Sequence, residues 1–171
     1  MRDILVTLKV GGTSLRFCIR QRVFSWGNKF DIYDENGKPV FHCQGEVFSF
    51  GKKLHLYEIS GREIAYIEQK LFTFMPRYEI YIDNVLATTV IKKFSLFRHD
   101  FVFEQLNWEI SGDFFAHEYT IDSNGKNVMS MSKKWFSWGD VYNIDINDGF
   151  NPQLVLTAAL VVDSVCHDNR N

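Results

Sequence analysis

The sequence predicts a mainly β fold, a closed antiparallel barrel built from repeated hairpins around a hydrophobic C-terminal α-helix, and three observations carry that expectation. The first is a recurring aromatic phrase: Val23-Phe24-Ser25-Trp26-Gly27, Val47-Phe48-Ser49-Phe50-Gly51, Leu71-Phe72-Thr73-Phe74-Met75, Phe94-Ser95-Leu96-Phe97 and Trp135-Phe136-Ser137-Trp138-Gly139. Its first three copies begin 24 residues apart, at 23, 47 and 71. A fixed period of this length marks supersecondary units that cannot bury their apolar faces alone and close on one another around a shared core. The second observation is strict alternation downstream of each phrase, and the third is an apolar run near the C-terminus that breaks the strand pattern.

The strands come first. Six and eight residues beyond the phrase Phe stand Phe30 and Ile32, Leu54 and Leu56, Tyr78 and Ile80, and Tyr142 and Ile144, separated by Asp31, His55, Glu79 and Asn143. Period two of this kind marks a half-buried strand. In the copy at Phe94 the sixth position is Asp100, and Phe101 and Phe103 carry the pattern one residue later, as a one-residue bulge would require. Turns follow: Asp34-Glu35-Asn36-Gly37, Ser60-Gly61, Asp83-Asn84 and Ser123-Asn124-Gly125 supply the Gly and Asn that tight hairpins need at positive φ. A second apolar stretch lies beyond each turn, as at 63–69, 85–91 and 128–132. The unit is therefore strand, hairpin, strand, phrase. Phe24, Phe48, Phe72 and Phe136, repeated at one position, are expected to be buried packing units between adjacent hairpins.

The helix comes last. Asn151 before Pro152 reads as an N-cap and a first-turn proline, opening a helix over about 152–168. At 100° per residue its Leu, Val and Ala side chains cover the full circumference, which fits burial on all sides. The apolar run from 154 to 166 is short of the roughly 20 residues that span a bilayer, and Asp163 interrupts it, so no transmembrane span is expected.

Composition bounds the rest. A chain of 171 residues with 46% hydrophobic content can bury one core, so a single domain over 1–171 is expected. The formal charge of -2 provides no global field toward nucleic acid or an anionic membrane, and either would have to be met by a local patch. Cys18, Cys43 and Cys166 are odd in number and lack paired spacing, which favours reduced thiols in the cytoplasm over a disulfide framework. The run from Ile4 to Val10 is too short and polar for a signal peptide.

Taken together, Val23-Phe24-Ser25-Trp26-Gly27, Tyr33-Asp34-Glu35-Asn36-Gly37, Gln69-Lys70-Leu71-Phe72, Gly112-Asp113-Phe114, Lys133-Lys134-Trp135-Phe136-Ser137-Trp138-Gly139-Asp140 and the terminal apolar helix resemble the LURP-one-related family. The resemblance covers nearly all of residues 16–168. It implies the tubby C-terminal-like fold, a barrel of about twelve strands surrounding the helix, and these motifs build a fold without including a catalytic set. At fold level it reaches phosphoinositide-binding tubby domains and phospholipid scramblases, so the partner it implies is an anionic membrane lipid. A shared fold hosts unrelated functions, and no lipid-binding residue of those proteins maps onto this chain.

The local candidates are basic. Lys52-Lys53, Lys92-Lys93 and Lys133-Lys134 are paired, and Arg22, Lys70 and Lys134 each stand two residues before a phrase Phe. Lys92, Lys93, Lys133 and Lys134 form the candidate site for a lipid headgroup or another anion; the competing reading is edge protection and solubility. Trp26 and Trp138 fit either an interfacial anchor or a staple between strands. The five histidines show no metal spacing, and Asp113 with His117 and Glu118 comes nearest to a catalytic cluster but reads as structural. Asp163, a carboxylate in an apolar helix, reads as a buried polar anchor. No catalytic residue, metal or cofactor is expected. The function expected is a non-enzymatic module, peripheral to an anionic membrane surface, and the alternative is a structural or regulatory protein-interaction domain.

Overall fold

The computed structural model describes residues 14–20, 29–46, 48–94, 100–136 and 139–167, with 135, 136, 139, 140 and 167 described by their backbone only. Among the described residues twelve strands precede one helix: β1 (Ser14–Ile19), β2 (Lys29–Asp34), β3 (Pro39–Gly45), β4 (Lys53–Glu58), β5 (Glu63–Lys70), β6 (Arg77–Ile82), β7 (Val85–Lys93), β8 (Asp100–Phe103), β9 (Trp108–Asp113), β10 (Glu118–Ser123), β11 (Lys126–Phe136), β12 (Gly139–Asn147) and α1 (Pro152–His167). The expected turns form as their residues dictate. Asp83 and Asn84 have φ of 47° and 65°, Asn124 and Gly125 have 50° and 74°, and Asp34 Oδ1 accepts hydrogen bonds from the Asn36 and Lys38 amides at 2.9 and 2.8 Å.

The sheet order is β8-β7-β6-β5-β4-β3-β2-β1-β12-β11-β10-β9. Pairing of β1 with β12, from Ser14↔Asn147 to Ile19↔Tyr142, brings the first and last described strands together. Closure stops at one seam, because β8 and β9 follow one another in the chain without sharing a ladder. The barrel is therefore nearly closed. The four-residue β8 is too short to continue the wall, and across the seam Phe103 and Trp108 meet edge to face at 5.5 Å. Since every neighbouring pair is antiparallel, all odd-numbered strands run toward one end, called here the upper rim. Even-numbered strands start from it.

The alternation faces inward as the sequence predicts. Phe30, Ile32, Leu54, Leu56, Tyr78, Ile80, Tyr142 and Ile144 are all buried, and so are Phe101 and Phe103, one residue displaced. The residues 95–99 that would contain the bulge lie outside the described set. Helix α1 fills the barrel: Asn151 Oδ1 caps it by accepting from the Leu154 amide at 3.0 Å, and every side chain from Val155 to Cys166 is buried. An apolar helix is stable there because the strands around it present apolar walls on every side, and Tyr119 Oη donates to the Ala159 carbonyl at 3.0 Å. No described helix is long and apolar enough to cross a membrane.

Candidate functional site

The phrase aromatics are not core. Phe48 and Phe72 are 101% and 105% exposed, against the expectation that they pack between hairpins, while Phe24 and the side chain of Phe136 lie outside the described residues, as do Trp26 and the Trp138 side chain. The reason is in the same phrases. Ser49 Oγ donates to the Gly51 carbonyl at 2.7 Å and reaches the Glu46 carbonyl at 3.5 Å; at the equivalent position Thr73 Oγ1 donates to the Met75 carbonyl at 2.8 Å and reaches the Lys70 carbonyl at 3.3 Å. The hydroxyl ties each loop to itself, so the flanking rings are not needed to hold it. Phe50 and Phe74 also project, at 94% and 87%, and Phe94 and Phe115 are exposed. All of these stand on connections that follow β3, β5, β7 and β9, and so on the upper rim. Phe74 and Phe94 touch edge to face at 5.8 Å.

The lysines share that rim, since Lys92 and Lys93 end β7 and Lys133 and Lys134 lie near the end of β11. They do not form one patch. Adjacent residues of a strand face opposite ways, and Val90 and Met131 are buried, so Lys92 and Lys133 lean over the barrel mouth while Lys93 and Lys134 are exposed on the outer wall. Across the seam the two strands are four spacings apart, roughly 20 Å along the wall at about 4.8 Å per strand. Lys133 Nζ lies 5.5 Å from the centre of the Tyr142 ring. Burial, and then the charge of Lys92, hold the Lys52 ammonium below the ordinary lysine range. Several other basic residues meet carboxylates. Lys53 meets Glu46 at 3.7 Å, Lys70 meets Glu79 at 3.2 Å and Glu68 at 3.5 Å, and Arg77 meets Glu104 at 3.4 Å. Arg22 lies outside the described residues.

The nearest approach to a catalytic cluster comes apart. Asp113 Oδ1 accepts from the Phe115 and Ala116 amides at 2.9 and 3.0 Å and shapes the β9–β10 turn, Glu118 is exposed, and His117 turns inward. There His117 Nδ1 lies 2.6 Å from Oδ1 of Asp163, which is 1% exposed, and its ring stands edge to face on Tyr142 at 4.7 Å. Asp163 thus anchors the helix to the wall, as a carboxylate in an apolar helix requires. Burial pushes the Cys166 thiol up to about 12, and it raises Cys43 further and Cys18 as well, which keeps these sulfurs protonated and poorly nucleophilic. A concavity of about 380 Å³ follows the seam, lined by Lys93, Phe101, Phe103, Leu106, Trp108 and Ile110 among others. Among the described residues no group of three or more His, Cys, Asp or Glu is placed to hold a metal.

The family model described as LURP-one-related matches residues 15–163. The chain belongs to the LURP-one-related family. It is 38% identical over 154 residues to an uncharacterised Bacillus subtilis (strain 168) protein, YxjI, a match covering 90% of this chain and 94% of that one. The crystal structure of an Arabidopsis thaliana protein superposes with a TM-score of 0.65 at 16% identity, covering 89% of this chain and 91% of that chain, and shows the same fold. The matched span includes the lysine-bearing ends of β7 and β11 and the loops that carry Phe48 and Phe72.

Proposed function

We propose that this LURP-one-related chain is a non-enzymatic binding module that associates peripherally with anionic phospholipid headgroups, on the cytoplasmic side, through the upper rim bearing Lys92, Lys93, Lys133 and Lys134. One observation carries the reading: the ends of β7 and β11 bring Lys92, Lys93, Lys133 and Lys134 to the same rim as the exposed rings Phe48, Phe50, Phe72 and Phe74. Each lysine near an anionic surface contributes on the order of 1 kcal/mol, so the two pairs act as separate contacts along one rim and favour binding despite a net charge of -2. The non-enzymatic part is supported by protonated thiols and by a His–Asp pair spent on holding the helix. The test is co-sedimentation at low salt with vesicles with and without phosphatidylglycerol, comparing wild type with the fourfold Lys→Ala variant. Binding that needs phosphatidylglycerol, fades with salt and drops in the variant is expected. Phosphatidylglycerol binding unchanged in the variant, or absent from both proteins, favours a regulatory protein-interaction domain.

A further inference from the structure

The exposed rings on the upper rim are a surface feature that neither the core nor the lysines explain. Soluble monomers rarely expose contiguous apolar patches larger than about a few hundred Å², and larger patches mark interaction surfaces. Here Phe48, Phe50, Phe72 and Phe74 are each at least 87% exposed, on two loops whose shape is set by Ser49 and Thr73 rather than by the rings. The two loops are neighbours: a Cβ on Gly51 would lie 3.0 Å from the Gln69 carbonyl and 3.2 Å from the Leu71 side chain. Phe94 joins them through Phe74.

We infer that these rings are a penetrating edge: the loops after β3 and β5 enter the acyl region of a lipid bilayer, with Phe48, Phe50, Phe72 and Phe74 below the headgroups and the basic residues at their roots level with the phosphates. Charge placement selects this occupant. Lys52 follows Phe50, and Lys92 and Lys93 precede Phe94, while Lys53 and Lys70 at the roots of the same loops are shared with Glu46, Glu68 and Glu79. An apolar tip on an ammonium collar matches the layering of a bilayer interface. The form of the surface agrees, because Phe48 and Phe72 are as exposed as rings in an extended chain. This inference rests on the membrane-surface reading and adds how deep the contact goes.

Two variants test it in the full-length chain, with thermal melts confirming that each is folded. The first changes Phe48, Phe50, Phe72 and Phe74 to Ser; the second is Phe72→Trp, read by fluorescence against wild type in vesicles whose acyl chains carry bromine. Penetration predicts that wild-type binding to phosphatidylglycerol vesicles keeps a salt-resistant part, which the fourfold Ser variant loses while still binding at low salt. Each ring that leaves water contributes about tenfold to partitioning, so the loss at high salt is at least about a hundredfold. The added Trp is quenched by acyl-chain bromine. An unquenched Trp together with a Ser variant that binds like wild type overturns penetration while leaving headgroup binding by lysines intact. Quenching in vesicles of phosphatidylcholine alone, unaffected by Lys→Ala changes, upholds penetration and removes the anionic reading. Wild-type self-association that the Ser variant abolishes, without vesicle binding, overturns it in favour of a second copy of the chain.

Discussion

Removing the imidazole of His117 should destabilise the barrel more than any other single truncation on the upper rim. Asp163 sits in α1 among apolar side chains, and its Oδ1 lies 2.6 Å from His117 Nδ1. His117→Leu deletes that partner and leaves a carboxylate in a low-dielectric interior, for which breaking a buried pair costs about 3–5 kcal/mol. Against a stability of about 5–15 kcal/mol this is a large fraction. In a domain of this size each kcal/mol moves the melting temperature by about 2–4 °C, so a fall of roughly 6–20 °C is expected. His117 also holds a φ of 58°, which costs a non-glycine residue about 1–3 kcal/mol. That strain is common to every non-glycine variant at 117 and cancels in a cycle. The informative protein is therefore the double variant His117→Leu/Asp163→Leu, which removes both polar groups and should be more stable than His117→Leu alone by about 1–3 kcal/mol. Urea unfolding monitored by tryptophan fluorescence and by far-UV circular dichroism supplies the four free energies. A single variant within about 1 kcal/mol of wild type, or a double variant less stable than the single, would refute the anchor.

Three further perturbations separate the core from the display surface. Leu160→Asp places a carboxylate at a helix position that is fully enclosed, a penalty of several kcal/mol, and should abolish soluble folded protein; a normal melt would contradict the buried helix. Gly112→Ala would put a Cβ 2.4 Å from the Glu118 carbonyl at a φ of 135°, so β9 and β10 must separate locally, and a loss of more than about 2 kcal/mol in chemical denaturation is expected. Phe48→Ala and Phe72→Ala should each change stability by less than about 0.5 kcal/mol, since neither ring packs on anything, and a loss above about 2 kcal/mol at either site would return the phrase to the core.

Much of the architecture was legible because it is local. Alternation around Leu54 and Leu56 or Tyr78 and Ile80 states which face is buried, and Asn84 and Gly125 mark turns through their own φ preferences. Asn151-Pro152 states where the helix begins. The direction of the phrase aromatics was not legible, because recurrence shows that a position matters without showing whether it faces core or solvent. What decides it is a loop in which a short hydroxyl side chain takes over the structural task, a contact without periodic signature. The seam was hidden for a similar reason: β8 shows the right pattern over four residues, and only the ladder shows that the pattern ends before β9 can pair. His117 and Asp163 are 46 residues apart, so the carboxylate announced its need for a partner without naming one. The lysine pairs, Lys52-Lys53 among them, were visible in the sequence as candidates, but pairing does not show that adjacent lysines on a strand point to opposite faces.

The most direct test of the upper rim as the working surface compares the two ends of the barrel. Wild type, the Phe48, Phe50, Phe72 and Phe74→Ser variant, and a variant with Ile59, Val85 and Leu86→Ser, which removes exposed apolar side chains at the lower rim, are floated with phosphatidylglycerol vesicles at physiological salt. Wild type and the lower-rim variant should float together while the upper-rim variant stays with the free protein. Equal flotation of all three, or loss in the lower-rim variant alone, would contradict the assignment.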